Sequence, residues 1–296
     1  MLQRLKILWD FTRPHTIIGS FLSITTLYLL ACKGISATEH ITLYGWTLLS
    51  ALTCNLFITG LNQITDWEMD KINKPFLPIA SGALSLSNAR NIIGVSLVIC
   101  LWSAWMAAPL MFSIILSIIL IGAAYSLPPL RLKRHHITAA FCIIAVRGIL
   151  VNLAIGAALD HLIRGAIIHW NELLLLTIFI SVFSLAIAWF KDLYDTKGDD
   201  IYQIRTFPLL FSIKTTFYAG NALVIAAYLF SVVYSWMALG AEGWLLLVGH
   251  FALLLLFLGH VFTSSLQSPE GIYRFYIRFW VFLFGEYLLV LGYALV

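Results

Sequence analysis

Charge is what this chain has least of. Only 11% of its 296 residues are Asp, Glu, Lys or Arg and 61% are hydrophobic, against roughly 25% charged in an average soluble protein. That balance excludes a water-soluble globule. Cysteine is sparse too: Cys32, Cys54, Cys100 and Cys142 lie in or beside apolar stretches without paired spacing, which argues for packing over a disulfide framework or a thiolate metal site. No Gly-x-x-x-x-Gly-Lys loop is present, so nucleotide hydrolysis of the P-loop kind is not expected. There is no lipidation motif. The first apolar stretch follows Arg13-Pro14 without a small-residue cleavage site, and reads as a retained helix rather than a signal peptide.

What fills the chain instead is a series of apolar runs. A helix needs about 20 apolar residues to cross the hydrocarbon core of a bilayer. About nine such segments follow one another, at roughly 14–32, 42–63, 88–107, 109–126, 137–158, 172–191, 213–238, 243–263 and 276–296. The connections leave no room for a separate soluble domain. The expectation is therefore an all-α, polytopic membrane protein, a single domain over residues 1–296.

Basic residues orient it. Nine spans put the N-terminus and the connections 2–3, 4–5, 6–7 and 8–9 on one side. Of the eighteen Lys and Arg, Lys33 and Arg164 fall opposite and Arg147 lies inside a span, leaving fifteen on the crowded side. Positive-inside bias makes that side cytoplasmic. The net charge of +4 is then mostly topology, and no nucleic-acid partner is expected.

The acids are distributed unevenly. Of the fourteen, seven sit in two short cytoplasmic stretches: Asp66, Glu68 and Asp70, then Asp192, Asp195, Asp199 and Asp200. Asn62, Asp66 and Asp70 step by four, which on a helix makes one row rising about 6 Å per step. Asp195 and Asp199 repeat the step, with Asp192 one turn earlier on nearly the same face. A solvated helix end explains one such row; two rows with the same step on one side of the membrane are harder to dismiss. Four or five converging carboxylates repel one another unless a cation intervenes, and an all-oxygen site suits Mg²⁺. The cationic complement is close in sequence. Pro128-Pro129 stops the fourth span and presents Arg131, Lys133 and Arg134, Lys71 and Lys74 follow the first row, and Lys191 and Arg205 bracket the second. Carboxylates for a divalent metal beside Lys and Arg describe a diphosphate site.

These motifs resemble those of the UbiA superfamily of intramembrane aromatic prenyltransferases. The resemblance rests on Phe11-Thr-Arg-Pro-His15, on NQITDWEMD from Asn62 to Asp70 running into KINKPFLPIASG up to Gly82, and on AYSLPPLRLKR from Ala124 to Arg134. It extends to VRGILVN from Val146 to Asn152 and to KDLYDTKGD from Lys191 to Asp199, followed by Ile204-Arg-Thr-Phe207. It covers essentially the whole chain. Gln63 and Leu77-Pro78 stand where many relatives have Asp and Arg-Pro, a departure similar to the phytyl-transferring homogentisate branch of tocopherol biosynthesis and unlike the 4-hydroxybenzoate, chlorophyll and haem branches.

The resemblance implies helices around a central cavity with the acidic rows facing each other under cytoplasmic cap loops. It implies Mg²⁺-dependent transfer of a prenyl group, phytyl or geranylgeranyl, from an allylic diphosphate to homogentisate, with decarboxylation. Asp66 and Asp70 would hold one Mg²⁺, Asp195 and Asp199 another; Asn62 would orient the metal or a phosphate oxygen. Lys133, Arg134 and Tyr125 would contact the diphosphate or screen the forming carbocation. Lys71, Lys74, Asp192, Lys191 and Arg205 complete the expected binding set, with Arg147 and Asn152 turned into the cavity for acceptor or diphosphate.

Other readings stay open at this point: a longer solanesyl tail, another aromatic acceptor, or a divalent-cation transporter. A transporter would not need Lys and Arg facing its acids. Glu286, His250 and His260 in the last two spans read as an interhelical hydrogen-bond set, and His15 as a residue of the cavity mouth.

Overall fold

The computed structural model describes residues 2–296. Its order is α1 (Leu2–Phe11), α2 (Pro14–Ala31), α3 (Ile41–Thr65), α4 (Trp67–Asn73), α5 (Leu86–Ala107), α6 (Pro109–Ser126) and α7 (His136–Ile143). A π-helical stretch, Ile144–Ile155, joins α7 to α8 (Gly156–Arg164). Then come α9 (Trp170–Phe190), α10 (Thr196–Ile201), α11 (Phe207–Phe211), α12 (Ile213–Leu239), α13 (Trp244–Thr263) and α14 (Pro269–Leu295). Among the described residues the sole β feature is an isolated bridge between His135 and Arg205.

Eight stretches are long and apolar enough to cross a membrane, making the chain an integral, multi-pass membrane protein. The difference from the nine segments marked in the sequence lies in Ile213–Thr263. At 51 residues it would reach about 77 Å as one straight helix, far beyond a hydrocarbon core of about 30 Å. The chain folds back at Gly240–Gly243, where Gly240 takes φ 56°, and α12 and α13 pack side by side.

Outward faces carry large apolar side chains such as Val98, Trp102, Trp236 and Phe262, as a lipid-facing surface requires. The interior is dense in aromatics, with Phe183 stacked on Phe279 at 4.2 Å and Phe190 set edge-on to Phe275 at 4.9 Å. One polar set inside is matched across helices: His250 Nε2 lies 3.0 Å from Glu286 Oε1, and Ser235 Oγ 3.5 Å from His250 Nδ1. His260 does not join them; its ring stacks on Phe275 at 5.1 Å. All four cysteines are buried and free.

The helices carrying the acids end just before them. α3 stops at Thr65, and Asp66 (φ −110°, ψ 7°) opens the short α4. Bonds from Asp66 N to Asn62 O (3.0 Å) and from Asp70 N to Asp66 O (2.7 Å) carry the four-residue step across the break. In the second row α9 ends at Phe190; Asp192 and Asp195 occupy the turn beyond it, and only Asp199 lies in α10. The expected rows on spanning helices are thus rows on cap segments.

Candidate active site

Between these caps and the bundle lies a cavity of about 670 Å³. Eleven of the fifteen residues singled out in the sequence line it: Asn62, Asp66, Asp70, Lys74, Tyr125, Lys133, Arg147, Lys191, Asp192, Asp195 and Asp199. Its apolar wall includes Ile58, Ile121, Ile143, Val146, Ile187 and Ile277. The other four lie outside. Lys71 is exposed, with Nζ 4.0 Å over the Trp67 ring. Arg134 and Arg205 point outward and join two cap segments by backbone bonds, Arg205 N donating to Arg134 O at 3.0 Å. Asn152 is fully buried behind the wall, donating to Arg147 O at 2.6 Å and accepting from the Tyr287 hydroxyl at 3.2 Å.

Asp66 is the most heavily partnered of the carboxylates that line the cavity. Its Oδ2 accepts from Lys133 Nζ at 2.7 Å and its Oδ1 from Arg131 Nη2 at 3.1 Å. Lys133 Nζ also donates to Asn62 Oδ1 (2.8 Å) and Thr65 Oγ1 (3.0 Å), so it ties together the end of α3. Burial pulls its ammonium down to about 8 against the pull of Asp66. Arg131 reaches Asp66 from a left-handed backbone (φ 36°), a strained conformation for a residue with a Cβ. Arg13, also left-handed at φ 53°, lines the cavity; burial opposes its charge, but Asp70 and its neighbours outweigh that and raise its pKa.

The remaining acids are buried with oxygens to spare. Asp70 Oδ2, Asp195 Oδ1 and Asp199 Oδ2 have no hydrogen-bond partner. Burial pushes Asp70 up to about 6, although Lys74 and Arg13 oppose it. Burial, then Asp192 and Asp195, push Asp199 up to about 8. Lys74 spans the two rows, rising from the end of α4 to pair with Asp195. Asp195 and Asp70 overcome the cost of its burial and raise its pKa. Lys191 pairs with Asp192, whose charge likewise outweighs burial. Buried carboxylate oxygens without donors are costly, and hard oxygens of this kind are what a divalent cation takes. Among the described residues no three carboxylates close on one point; the rows form two half-sites with Lys74 between them.

The caps are pinned to each other by Asn73 at the end of α4, whose Oδ1 accepts from Gly198 N in α10 at 2.8 Å. A Cβ at Gly198 would lie 2.5 Å from that oxygen. Gly198→Ala is therefore expected to separate the rows and lower turnover about tenfold, near the loss of one hydrogen bond. Asn73→Ala should match it, and the double variant should be no worse than either single. Additive losses in initial-rate measurements would show that the two residues act separately.

Sequence reasoning placed Arg131 beside the acids without giving it a role, and left Arg13, Tyr276 and Trp280 out of the site. The first two carried a signal, each standing next to or just after a proline at a span boundary. The aromatic pair carried none.

The comparisons with known proteins agree with this geometry. Residues 20–283 match the UbiA prenyltransferase family. A homogentisate phytyltransferase of Synechocystis is 38% identical over 287 residues, covering 95% of this chain and 93% of that protein. A homogentisate geranylgeranyltransferase of Triticum aestivum is 33% identical over 302 residues, covering 97% and 72%. Among solved structures, a UbiA homologue from Archaeoglobus fulgidus bound to GPP and Mg²⁺ superposes with a TM-score of 0.64 at 17% identity, over 97% of this chain and 99% of that one. An all-helical membrane bundle closing on a cavity with two acidic rows, matched by these sequences, belongs to the UbiA prenyltransferase family and is a prenyltransferase.

Proposed function

We propose that the chain transfers a phytyl-type prenyl group from its diphosphate to homogentisate with loss of CO₂, in a Mg²⁺-dependent reaction whose site opens on the cytoplasmic side. The observation that carries this reading is the pair of buried acidic rows with partnerless oxygens, set beside Lys74, Lys133 and Arg131 at the head of an apolar cavity. The homogentisate enzymes among its relatives supply the acceptor, and the solved homologue bound to GPP and Mg²⁺ supplies the donor class and metal. Asp66, Asp70, Asp195 and Asp199 would hold Mg²⁺, which when bound supplies positive charge to the departing diphosphate.

The chain's own groups do the rest. Lys133 and Arg131 fix Asp66, and with it the first half-site. Lys74 and Arg13 add charge where the diphosphate lies. Tyr125, Ile121, Ile143 and Ile187 wall the allylic carbon from water, which would otherwise capture the cation. The apolar lining leads the hydrocarbon tail toward lipid.

Purified protein incubated with labelled homogentisate and Mg²⁺, with phytyl and geranylgeranyl diphosphates in parallel, tests this reading. A decarboxylated prenyl quinol that disappears with EDTA is the expected product. Preference for geranylgeranyl would assign the donor for which the wheat relative is named instead, and no prenylated homogentisate from either donor would move the acceptor elsewhere.

Stability should depend on pH and metal together. Asp70 and Asp199 hold protons more tightly folded than unfolded, where carboxyls titrate near 4. Their contribution is fully present below about 4 and is lost as pH rises through about 6 and about 8. Without divalent metal the thermal midpoint should fall across that window. Saturating Mg²⁺, which takes the deprotonated form, should flatten the fall; an unchanged slope would count against these two residues as ligands.

A further inference from the structure

Arg147 stands apart from the other cations of the cavity. Lys74, Lys133 and Lys191 each pair with a carboxylate, Arg13 faces Asp70, and Lys6 is exposed at the rim. No carboxylate among the described residues lies within 4.0 Å of Arg147. Yet it is set inside a spanning helical segment and lines the cavity. An intramembrane arginine without an acidic partner is costly, and an ionisable residue inside a span is by default a functional one.

The surroundings select the kind of anion. The guanidinium carbon lies 4.7 Å from the Trp280 ring centroid, and the His15 ring is edge-on to the same indole at 4.6 Å. Tyr276 completes the aromatic side of this corner. Stacking occupies a face of the guanidinium and leaves its in-plane N–H donors, a fork that matches a carboxylate. A diphosphate carries several charges and finds them near the acidic rows. A single cation bordered by ring faces instead complements a molecule with one negative charge and an aromatic ring.

The backbone at Arg147 is also tied in place. Its carbonyl accepts from Asn152, Asn152 accepts from Tyr287, and the Tyr287 carbonyl accepts from Thr26 Oγ1 at 3.0 Å. The segment is π-helical, a geometry that recurs at functional sites. Behind it, Gly148 lets Ser181 of α9 approach too closely for any Cβ.

Resting on the homogentisate reading, we infer that Arg147 is the anchor for the acceptor's carboxylate, with Trp280 beside it to receive the ring. The acceptor's acetate arm then points toward Arg147 and its ring toward the allylic carbon. Asn152 and Tyr287 are positioning residues for that anchor.

The test compares wild type, Arg147→Lys and Arg147→Gln, with folding checked by thermal unfolding. In Arg147→Gln the KM for homogentisate should rise about 10- to 100-fold, as loss of a charge-assisted pair implies, while the KM for the prenyl diphosphate changes by less than about threefold. Arg147→Lys should recover part of the loss, since it restores charge without the fork. 2,5-Dihydroxyphenylacetamide, which lacks the negative charge, should compete more weakly than the acid at wild type and about equally at Arg147→Gln. Retained acid-over-amide preference in Arg147→Gln, or a shift confined to the diphosphate KM, overturns the inference. Equilibrium binding of labelled homogentisate needs no turnover. Arg147-dependent binding without product would sink the transfer reaction but keep the anchor, and wild type that binds no homogentisate overturns both.

Discussion

Asp66→Asn is expected to abolish turnover and lower stability together, whereas Asp70→Asn abolishes turnover with a much smaller loss of stability. Both remove one charge from the first half-site, and loss of a preorganised electrostatic group costs about 10²–10³-fold in rate. Their surroundings differ. Asp66 neutralises Lys133, itself 7% exposed, and Arg131; without it two cations face each other in a largely closed site. Breaking a buried pair from one side costs about 3–5 kcal/mol. Asp70 makes no ion pair of that kind: its Oδ2 is partnerless and burial already disfavours its charge; it supports the buried charges of Arg13 and Lys74 without contacting them as a pair, so an amide there costs less stability than at Asp66. Turnover and thermal midpoints of the two variants in the same detergent make the comparison. Where Asp66→Asn is too unstable to purify, adding Lys133→Met removes one stranded charge and should restore the fold without restoring activity. Full activity in either Asp variant would remove the first row from the site.

Much of this arrangement was legible because its signals are local. Apolar runs mark spans through the cost of burying unpaired backbone and charge in lipid, and the four-residue acid step survives the break at Asp66 because backbone bonds bridge it. Lys133 was legible from the Pro128-Pro129 stop before it. Orientation of exposed cations was not: Lys71, Arg134 and Arg205 lie beside the motifs in sequence but turn outward, since caps of one or two turns alternate inward and outward faces within a few residues. Nor was the Arg147 corner, which joins α2, the π-helical segment and α14 and has no single-segment signature. The fold-back at Gly240 was readable only through length, because α12 and α13 are apolar on both sides of it.

Lys74→Met gives the other large effect, and it separates a structural lysine from one that shares its place with metal. Lys74 leaves α4 and reaches the opposite row, pairing with Asp195 while lying 5.1 Å over the Tyr194 ring. In the absence of divalent cation, its loss strands Asp195 near Asp192 and Asp199 and should cost about 3–5 kcal/mol, the range for breaking a buried pair. Turnover should fall about 10²-fold, because the diphosphate loses a fixed counter-charge between the rows. Mg²⁺ can supply that missing charge, and a ligand at a hundred times its Kd stabilises by about 2.7 kcal/mol. The rise in thermal midpoint on adding Mg²⁺ should therefore be larger in Lys74→Met than in wild type, even as activity stays low. If Lys74 merely braces the caps, Mg²⁺ shifts both proteins equally and Asp195 lies outside the metal's reach. The sign of that difference decides between a brace and a cation that holds the rows together until metal and diphosphate arrive.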